Sequence, residues 1–370
     1  MQLPIDVKAV LDEATNIDEA ARTPVSVPLY VDGTCPSDAL RAVQNAFEAQ
    51  APHARVAYCM LDDALSVPFP GDDAAVIVAG LDERVGEAAA SLRAVGVPTM
   101  VVTTLPSLVD EIAKTAGHPI PQGDVIAPGG APVPARKRLL DGLRGKLIAS
   151  GVTFTGEGEP VVLDDAARDQ LRERMGAWII AACREKRLAF ALAFTFVRRP
   201  LSLEAVGATA MQNAGVGLVL ILPGADMPVM TLNQAKMLLQ IAAAYGQPLS
   251  AERIKELAAV VGGAFLFRNI ARTAVGVVPV LGWAIKGAVG FAGTEAMGHA
   301  AIEYFEAGGD IVGVASVVQK ARDEAVEAAS KAAATPAGGK VIEAARGAGA
   351  SAFRALRGKG KGAGKGGARG

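Results

Sequence analysis

Cysteine, histidine and aromatic side chains are scarce in this chain of 370 residues. Its 3 cysteines, Cys35, Cys59 and Cys183, are odd in number and lack CxxC spacing. That excludes a disulfide scaffold and suits a reducing compartment. The 3 histidines, His53, His118 and His299, stand singly, which excludes a His-rich metal centre. With only 5% aromatics, the mean hydropathy of +0.31 comes from Ala, Val, Leu and Gly. An apolar content of 51% beside 20% charge excludes wholesale disorder. Residues 1–23 carry 5 acids and 2 bases with no apolar run, the reverse of a secretory signal. The expectation is an N-terminus that stays in the cytoplasm.

The length favours two domains, and the charge divides the same way. Residues 1–150 hold 12 basic and 19 acidic side chains, a net of −7, whereas residues 151–370 hold 25 and 19, a net of +6. An acidic front half precedes a basic, more apolar back half. Residues 1–24 read as an acidic segment, with a short helix over 7–22 stopped by Pro24.

Residues 25–150 alternate strand and helix. Strands are expected at 25–31, 56–60, 74–79, 98–103 and 124–127, with helices at 37–50, 83–95, 107–116 and 135–150. Ser37 is placed as the N-cap of the first helix. The unbroken apolar run at 74–79 marks a central parallel strand covered on both faces. The pattern implies βαβ units and a doubly wound, mostly parallel Rossmann-like sheet. Ligands of such sheets bind at the carboxyl ends of the strands. The first of these loops, Asp32-Gly33-Thr34-Cys35-Pro36-Ser37-Asp38, has one glycine, no lysine and a proline without a donor. A phosphate cradle needs successive free N–H groups, a Lys and a Ser/Thr for Mg²⁺. Asp32 and Asp38 would instead repel phosphate, and a GxGxxG fingerprint is missing too.

In element order, 25–150 resembles an Era-like (TRAFAC-class) GTPase domain whose motifs have eroded. The segment 25–50 occupies the P-loop place. The run from Asp72 through Ala79 to Glu83 is similar to the third-strand region beside the family's DxxG turn. Thr103-Thr104-Leu105-Pro106 stands where the guanine-specifying NKxD would be, and Ala127-Pro128-Gly129-Gly130 near the SA-type loop. The resemblance implies a GTPase-like scaffold without the phosphate, Mg²⁺ and guanine contacts, hence no cofactor and no catalytic residues. A divergent nucleotide-binding hydrolase is the competing reading.

Residues 151–165 read as a linker and 166–318 as an apolar helical domain. Residues 205–225 are 21 positions without a charge, and 273–285 are 13, with Arg268 and Arg272 before and Lys286 after. A bilayer span takes about 20 apolar residues, so the shorter run suits a buried helix or a re-entrant segment. The membrane-contact candidates are Leu218, Leu220, Ile221 and Pro223 in the first run and Val278, Pro279, Leu281 and Trp283 in the second. Pro223 and Pro279 are expected at the deepest turns. Gln234 and Gln240, with Lys236 between, read as a solvated or headgroup-facing edge, and Asp226 as a helix N-cap.

The stretch Leu222-Pro223-Gly224 through Ala244-Tyr245-Gly246, then Val278 to Gly290, Thr294 to Gly298 and Ala301 to Phe305, resembles the YcjF-type domain found beside Era-like GTPases. That resemblance covers about 170–307. It implies a bacterial membrane-associated helical module with no defined activity. Residues 319–356 read as Ala-rich helices and 357–370 as a disordered Gly/Lys tail. Residues 351–370 carry 6 basic side chains and no acid, which suits anionic lipid or nonspecific nucleic-acid contact.

The sequence thus predicts an α/β domain followed by an all-α domain, acting as a non-catalytic membrane-associated scaffold or regulator on the cytoplasmic face of the membrane. Membrane lipid is the expected partner, with a GTPase or a second copy of the chain as protein partners, and no metal. A soluble interaction module in the cytoplasm with a dry helical core is the further alternative.

Overall fold

The computed structural model describes residues 19–20, 22–66, 69–129, 161–219, 226–247, 279–309, 320–321 and 324. The chain divides into two compact units, one spanning Asp18–Leu201 and the other comprising Met1–Ile17 and Ser202–Gly370. Most of the expected helix at 7–22, all of that at 135–150, most of the linker, and the 357–370 tail lie outside the described residues.

Five parallel strands form one sheet in the order β2-β1-β3-β4-β5. They are β1 (Val25–Val31), β2 (Ala54–Met60), β3 (Ala75–Val78), β4 (Thr99–Val102) and β5 (Val125–Ile126). Helices α1 (Ser37–Ala46), α2 (Leu61–Ser66), α3 (Val85–Ala94) and α4 (Pro106–Thr115) connect them. The sequences of β3 and β4, AVIV and TMVV, are buried at every position. Only a central strand covered on both faces buries both sets of alternating side chains. β1 is also central, yet it contains Pro28. The ladder tolerates it because β1 pairs with β3 only from Leu29 onward, while Asp73 N reaches Ser26 O (2.9 Å) on the near side.

On one face, Tyr30, Ile77 and Val101 pack beneath Leu61, Ala88, Leu92 and Leu108. Phe47 forms edge contacts with Phe194 and Phe196, ring centroids 5.1 and 5.0 Å apart. Helix α1 therefore ends at Ala46, short of the expected 50. Phe47 turns into this aromatic contact, and Gln50 N bonds to Ala193 O (2.8 Å). Its start differs as well. Pro36 is the N-cap and Ser37 the first helical residue, with no side-chain cap, because the turn closed by Cys35 N on Asp32 O (2.9 Å) brings the chain into the helix one residue early. Helix α2 was not foreseen. It is one short acidic turn whose Asp63 folds back to accept from Met60 N (2.8 Å).

Helices α5 (Asp165–Ala182) and α6 (Arg187–Ala193) belong to the sheet unit, although the sequence reading places their residues in the second domain. The side chain of Asp164 caps α5 by accepting from Ala167 N (2.7 Å). Trp178 Nε1 then donates to Asp124 Oδ1 (3.0 Å) and Arg174 Nη1 to Ala127 O (2.7 Å), which ties α5 to the β5 edge. Phe194 is extended and separates α6 from α7 (Thr195–Val219). Pro200 lies inside α7 and makes no bond to the carbonyl of Phe196. Gly176 of α5 sits against this point. A Cβ there would lie 2.8 Å from Phe196 O and 2.7 Å from Pro200 Cγ.

In the second unit α7 continues from Ser202, followed by α8 (Asp226–Ala244) and α9 (Pro279–Glu306). Val206, Met237, Ile241, Met297, Ile302 and Phe305 form its buried cluster. Among the described residues no helix is long and apolar enough to cross a membrane.

Candidate functional site

The strand order reverses between β1 and β3, so the crevice at their carboxyl ends is where an α/β sheet of this kind holds a ligand. The chain fills that place with its own carboxylate. Asp32, the residue after β1, is fully buried. Its Oδ2 accepts from Gly80 N (2.6 Å) and Asp82 N (3.2 Å) in the loop after β3. Its Oδ1 accepts from Thr34 N and Thr34 Oγ1, both at 2.8 Å. The Thr34 hydroxyl in turn accepts from Leu81 N (2.6 Å). Four donors converge on one buried carboxylate, which compensates its desolvation without a cation.

Those backbone N–H groups are the kind that cradle a phosphate in nucleotide-binding sheets. Here they are taken by Asp32, so an incoming anion must displace a built-in one. Gly80 permits the closure, because a side chain there would fall on the backbone carbonyl of Thr34. The sequence reading of Asp32 as a phosphate-repelling residue understates it, since Asp32 also holds the donors that a phosphate would use.

Around this closure the surface is charged. Arg84 hydrogen-bonds both oxygens of Asp82, through Nε (3.0 Å) and Nη2 (2.6 Å), and also meets Asp62. The Arg84 hydrogen bond holds the Asp82 carboxyl below the usual carboxylate range. Burial, with Asp32 beside it, pushes the Cys35 thiol up to about 11. It is therefore protonated at neutral pH and is no nucleophile. Burial, then the carboxylate of Asp73, raises Cys183 to about 12.

At the end of β4, Thr103 and Thr104 are buried. Thr103 Oγ1 accepts from Leu105 N (3.0 Å), and Thr104 O accepts from Val161 N (2.9 Å). Thr103 thus holds backbone with its hydroxyl and Thr104 with its carbonyl, while the buried Thr104 Oγ1 has no partner among the described residues. Asp72 and Asp73 lie at the opposite, amino end of β3. There Ser26 Oγ donates to Asp72 Oδ1 (2.6 Å) and Lys186 Nζ pairs with Asp73 Oδ1 (2.6 Å). Among the described residues, no group of three or more His, Cys, Asp or Glu is placed to hold a metal ion.

Of the membrane-contact candidates, Leu218 lies in the last turn of α7, and Pro279, Leu281 and Trp283 begin α9. Leu220, Ile221, Pro223 and Val278 lie outside the described residues. Pro279 is the first residue of a 28-residue helix, a position at which its missing N–H costs nothing. Gln234 is not the solvated edge that the sequence suggests. It is 3% exposed, while Gln240 is exposed and Lys236 half-buried.

Gln234 belongs to a buried polar knot across three helices. Gln234 Nε2 and Asn213 Nδ2 both donate to Thr294 Oγ1 (3.0 Å each), and Asn233 Nδ2 donates to Asn213 Oδ1 (3.0 Å). Sequence reasoning missed this constellation. Its one signal is the spacing of Ser202, Thr209 and Asn213, seven and then four residues apart on one face of α7, all buried.

Against known proteins the chain has no match among family models, curated proteins or solved structures.

Proposed function

We propose that this protein is a non-catalytic scaffold or regulator, in which a closed, doubly wound Rossmann-like unit precedes a helical unit that docks on a membrane surface. One observation carries the first half: the crevice donors of Gly80, Asp82 and Thr34 are bound to the buried carboxylate of Asp32. The strand order β2-β1-β3-β4-β5 supports a flavodoxin-type doubly wound arrangement. The reading therefore does not depend on descent from an Era-like GTPase, because the same closure denies phosphate in either scaffold. The protonated Cys35 thiol also supports a role without catalysis.

The second half rests on the uncharged run at 205–225, the shorter run flanked by Arg268, Arg272 and Lys286, and the six basic residues of 351–370. Basic residues near an anionic surface contribute about 1 kcal/mol each. A soluble interaction module is the second reading. The large side chains of Met237, Ile241, Ile302 and Phe305 favour it, since they are turned into a shared cluster.

Two measurements on the full-length protein test the proposal. Titration with fluorescent GTP and Mg²⁺ is expected to show no saturable binding in the micromolar range, and saturable binding would sink the closed-crevice reading. Flotation with vesicles containing phosphatidylserine is expected to carry the protein upward. Deleting 357–370 should weaken flotation at low salt while leaving the thermal melt unchanged. A protein that stays at the bottom of the gradient with every vesicle composition is the soluble module instead.

A further inference from the structure

We propose that β2 is a self-pairing edge through which two copies of this chain join in a two-fold antiparallel dimer. Among the described residues β2 is an end strand and, at seven residues, as long as any in the sheet. Exposed edges of that length are templates for another strand.

Which groups the edge offers follows from the parallel register. Val25 pairs with Ala54, and Val25 N donates to His53 O (3.3 Å). In a parallel ladder the odd-numbered residues of β2 then face β1, and Ala54, Val56, Tyr58 and Met60 direct their N–H and C=O outward. The outer two amides are already occupied. Ala54 N donates to Ala51 O (3.1 Å), and Met60 N donates to Asp63 Oδ2 (2.8 Å). Among the described residues Val56 and Tyr58 remain without a partner for these groups, bracketed between two capped positions.

Two outward residues separated by one are what an isologous antiparallel contact needs. With the two-fold axis at Ala57, Val56 of each copy pairs with Tyr58 of the other, and each pair exchanges two hydrogen bonds. Ala57 meets its own symmetry mate at the non-hydrogen-bonded position, where strands come closest and a methyl group fits. Tyr58 and Met60, each 57% exposed, lie on one face and would be covered from both sides of the axis.

Charge makes a second copy the fitting occupant. In this register Arg55 stands opposite Cys59 of the other copy. The Asp63 carboxylate is held at the end of β2, where its Oδ2 accepts from the N–H of Met60 (2.8 Å), the residue after Cys59. Each Arg55 therefore approaches the other copy's Asp63, giving two ion pairs related by the axis. Arg55 has a side chain 65% exposed, and its Nη1 both donates to Ser26 Oγ (3.3 Å) and meets Asp72 (3.6 Å), long contacts that it would exchange for the other copy's carboxylate. A strand from an unrelated protein would have to supply both the hydrogen-bond spacing and the opposite charge.

The test is the solution mass of the full chain by light scattering from about 1 to 200 μM, a range that captures weak interfaces. The mass is expected to rise toward twice that of the monomer. Val56→Pro removes an outward N–H that makes no bond to β1, so it should leave the circular dichroism unchanged and return the mass to monomer. A wild type that is monomeric throughout overturns the proposal, and so does a dimer that Val56→Pro leaves intact. Should Val56→Pro misfold, Ala57→Cys in a Cys35→Ser, Cys59→Ser background decides the matter. A disulfide-linked dimer under mild oxidation supports the axis at Ala57, and a chain that stays monomeric on a non-reducing gel overturns it.

Discussion

Asp32 is an acid without a base, and its environment decides its role. A carboxylate kept buried for catalysis or for a metal is usually destabilising, and replacing it tends to stabilise the fold. Asp32 has all four contacts filled by three backbone amides and one hydroxyl. Asp32→Asn puts an amide N–H against amide donors. The expected loss is about 3 kcal/mol, read from urea unfolding of the full chain. An unchanged or increased stability would mean that the carboxylate is held for a ligand. The thiols make a second point at this scale. Cys35 and Cys183 are pushed up to about 11 and about 12, mainly by burial. A thiol is neutral when protonated, so the folded state holds these protons more tightly than the unfolded state. The resulting stability is complete below the ordinary thiol pKa and is lost as pH rises from about 9 toward the raised values. Cys183→Ala should flatten the alkaline decline of unfolding free energy above about pH 9 without altering the acid side. An equally steep decline in that variant would place the titration elsewhere.

Among the elements, the knot of Asn213, Gln234 and Thr294 distinguishes removing a shared acceptor from removing one of its donors. Thr294 Oγ1 accepts from two buried amides. Thr294→Val leaves both donors without that partner and should cost about 2–4 kcal/mol. Among the described residues Gln234 already holds one unpartnered buried atom, Oε1. Gln234→Met therefore removes an existing penalty together with one hydrogen bond, and should cost less than half as much. Thermal melts of the two variants give the comparison, and equal losses would mean that the knot is not where the helices are held.

The same elements show what the residues disclosed in advance. β1, β3 and β4 were legible because their β-branched runs are short and bounded by turn residues, and a strand buried on both faces needs such a run. Helix α2 was hidden, since LDDALS has too few residues to display a 3.6-residue period. The placement of α5 with the sheet was also hidden, because it depends on single long-range bonds such as Trp178 to Asp124. In the crevice the absence of a phosphate motif was plain. That Asp32 itself occupies the donors depends on Gly80 arriving beside it, and chain spacing carries no sign of that. Gln234 was misread for a similar reason: a polar residue on an apolar helix looks solvated until a second helix brings it a partner.

Over the whole molecule, the acidic and basic halves of the sequence meet at residue 150, whereas the two compact units divide after Leu201. The front unit also has an order of events written into its connectivity. A parallel sheet is assembled from contacts distant along the chain, and the entropy of closing those loops precedes any gain from them. β1 can pair with β2 before β3 is placed. The Asp32 carboxylate, however, waits for amides 48 and 50 residues away. It behaves as a bolt thrown after the door has closed. A contact formed on the native side of the folding barrier affects escape from the native state more than arrival at it. Stopped-flow measurements on Asp32→Asn should accordingly show faster unfolding with a refolding rate within about twofold of the wild type. A refolding rate that falls in step with stability would instead put the closure inside the folding nucleus. If the bolt is late, Asp32 governs how long the front unit endures once made, a property on which a scaffold with no turnover would depend more than an enzyme.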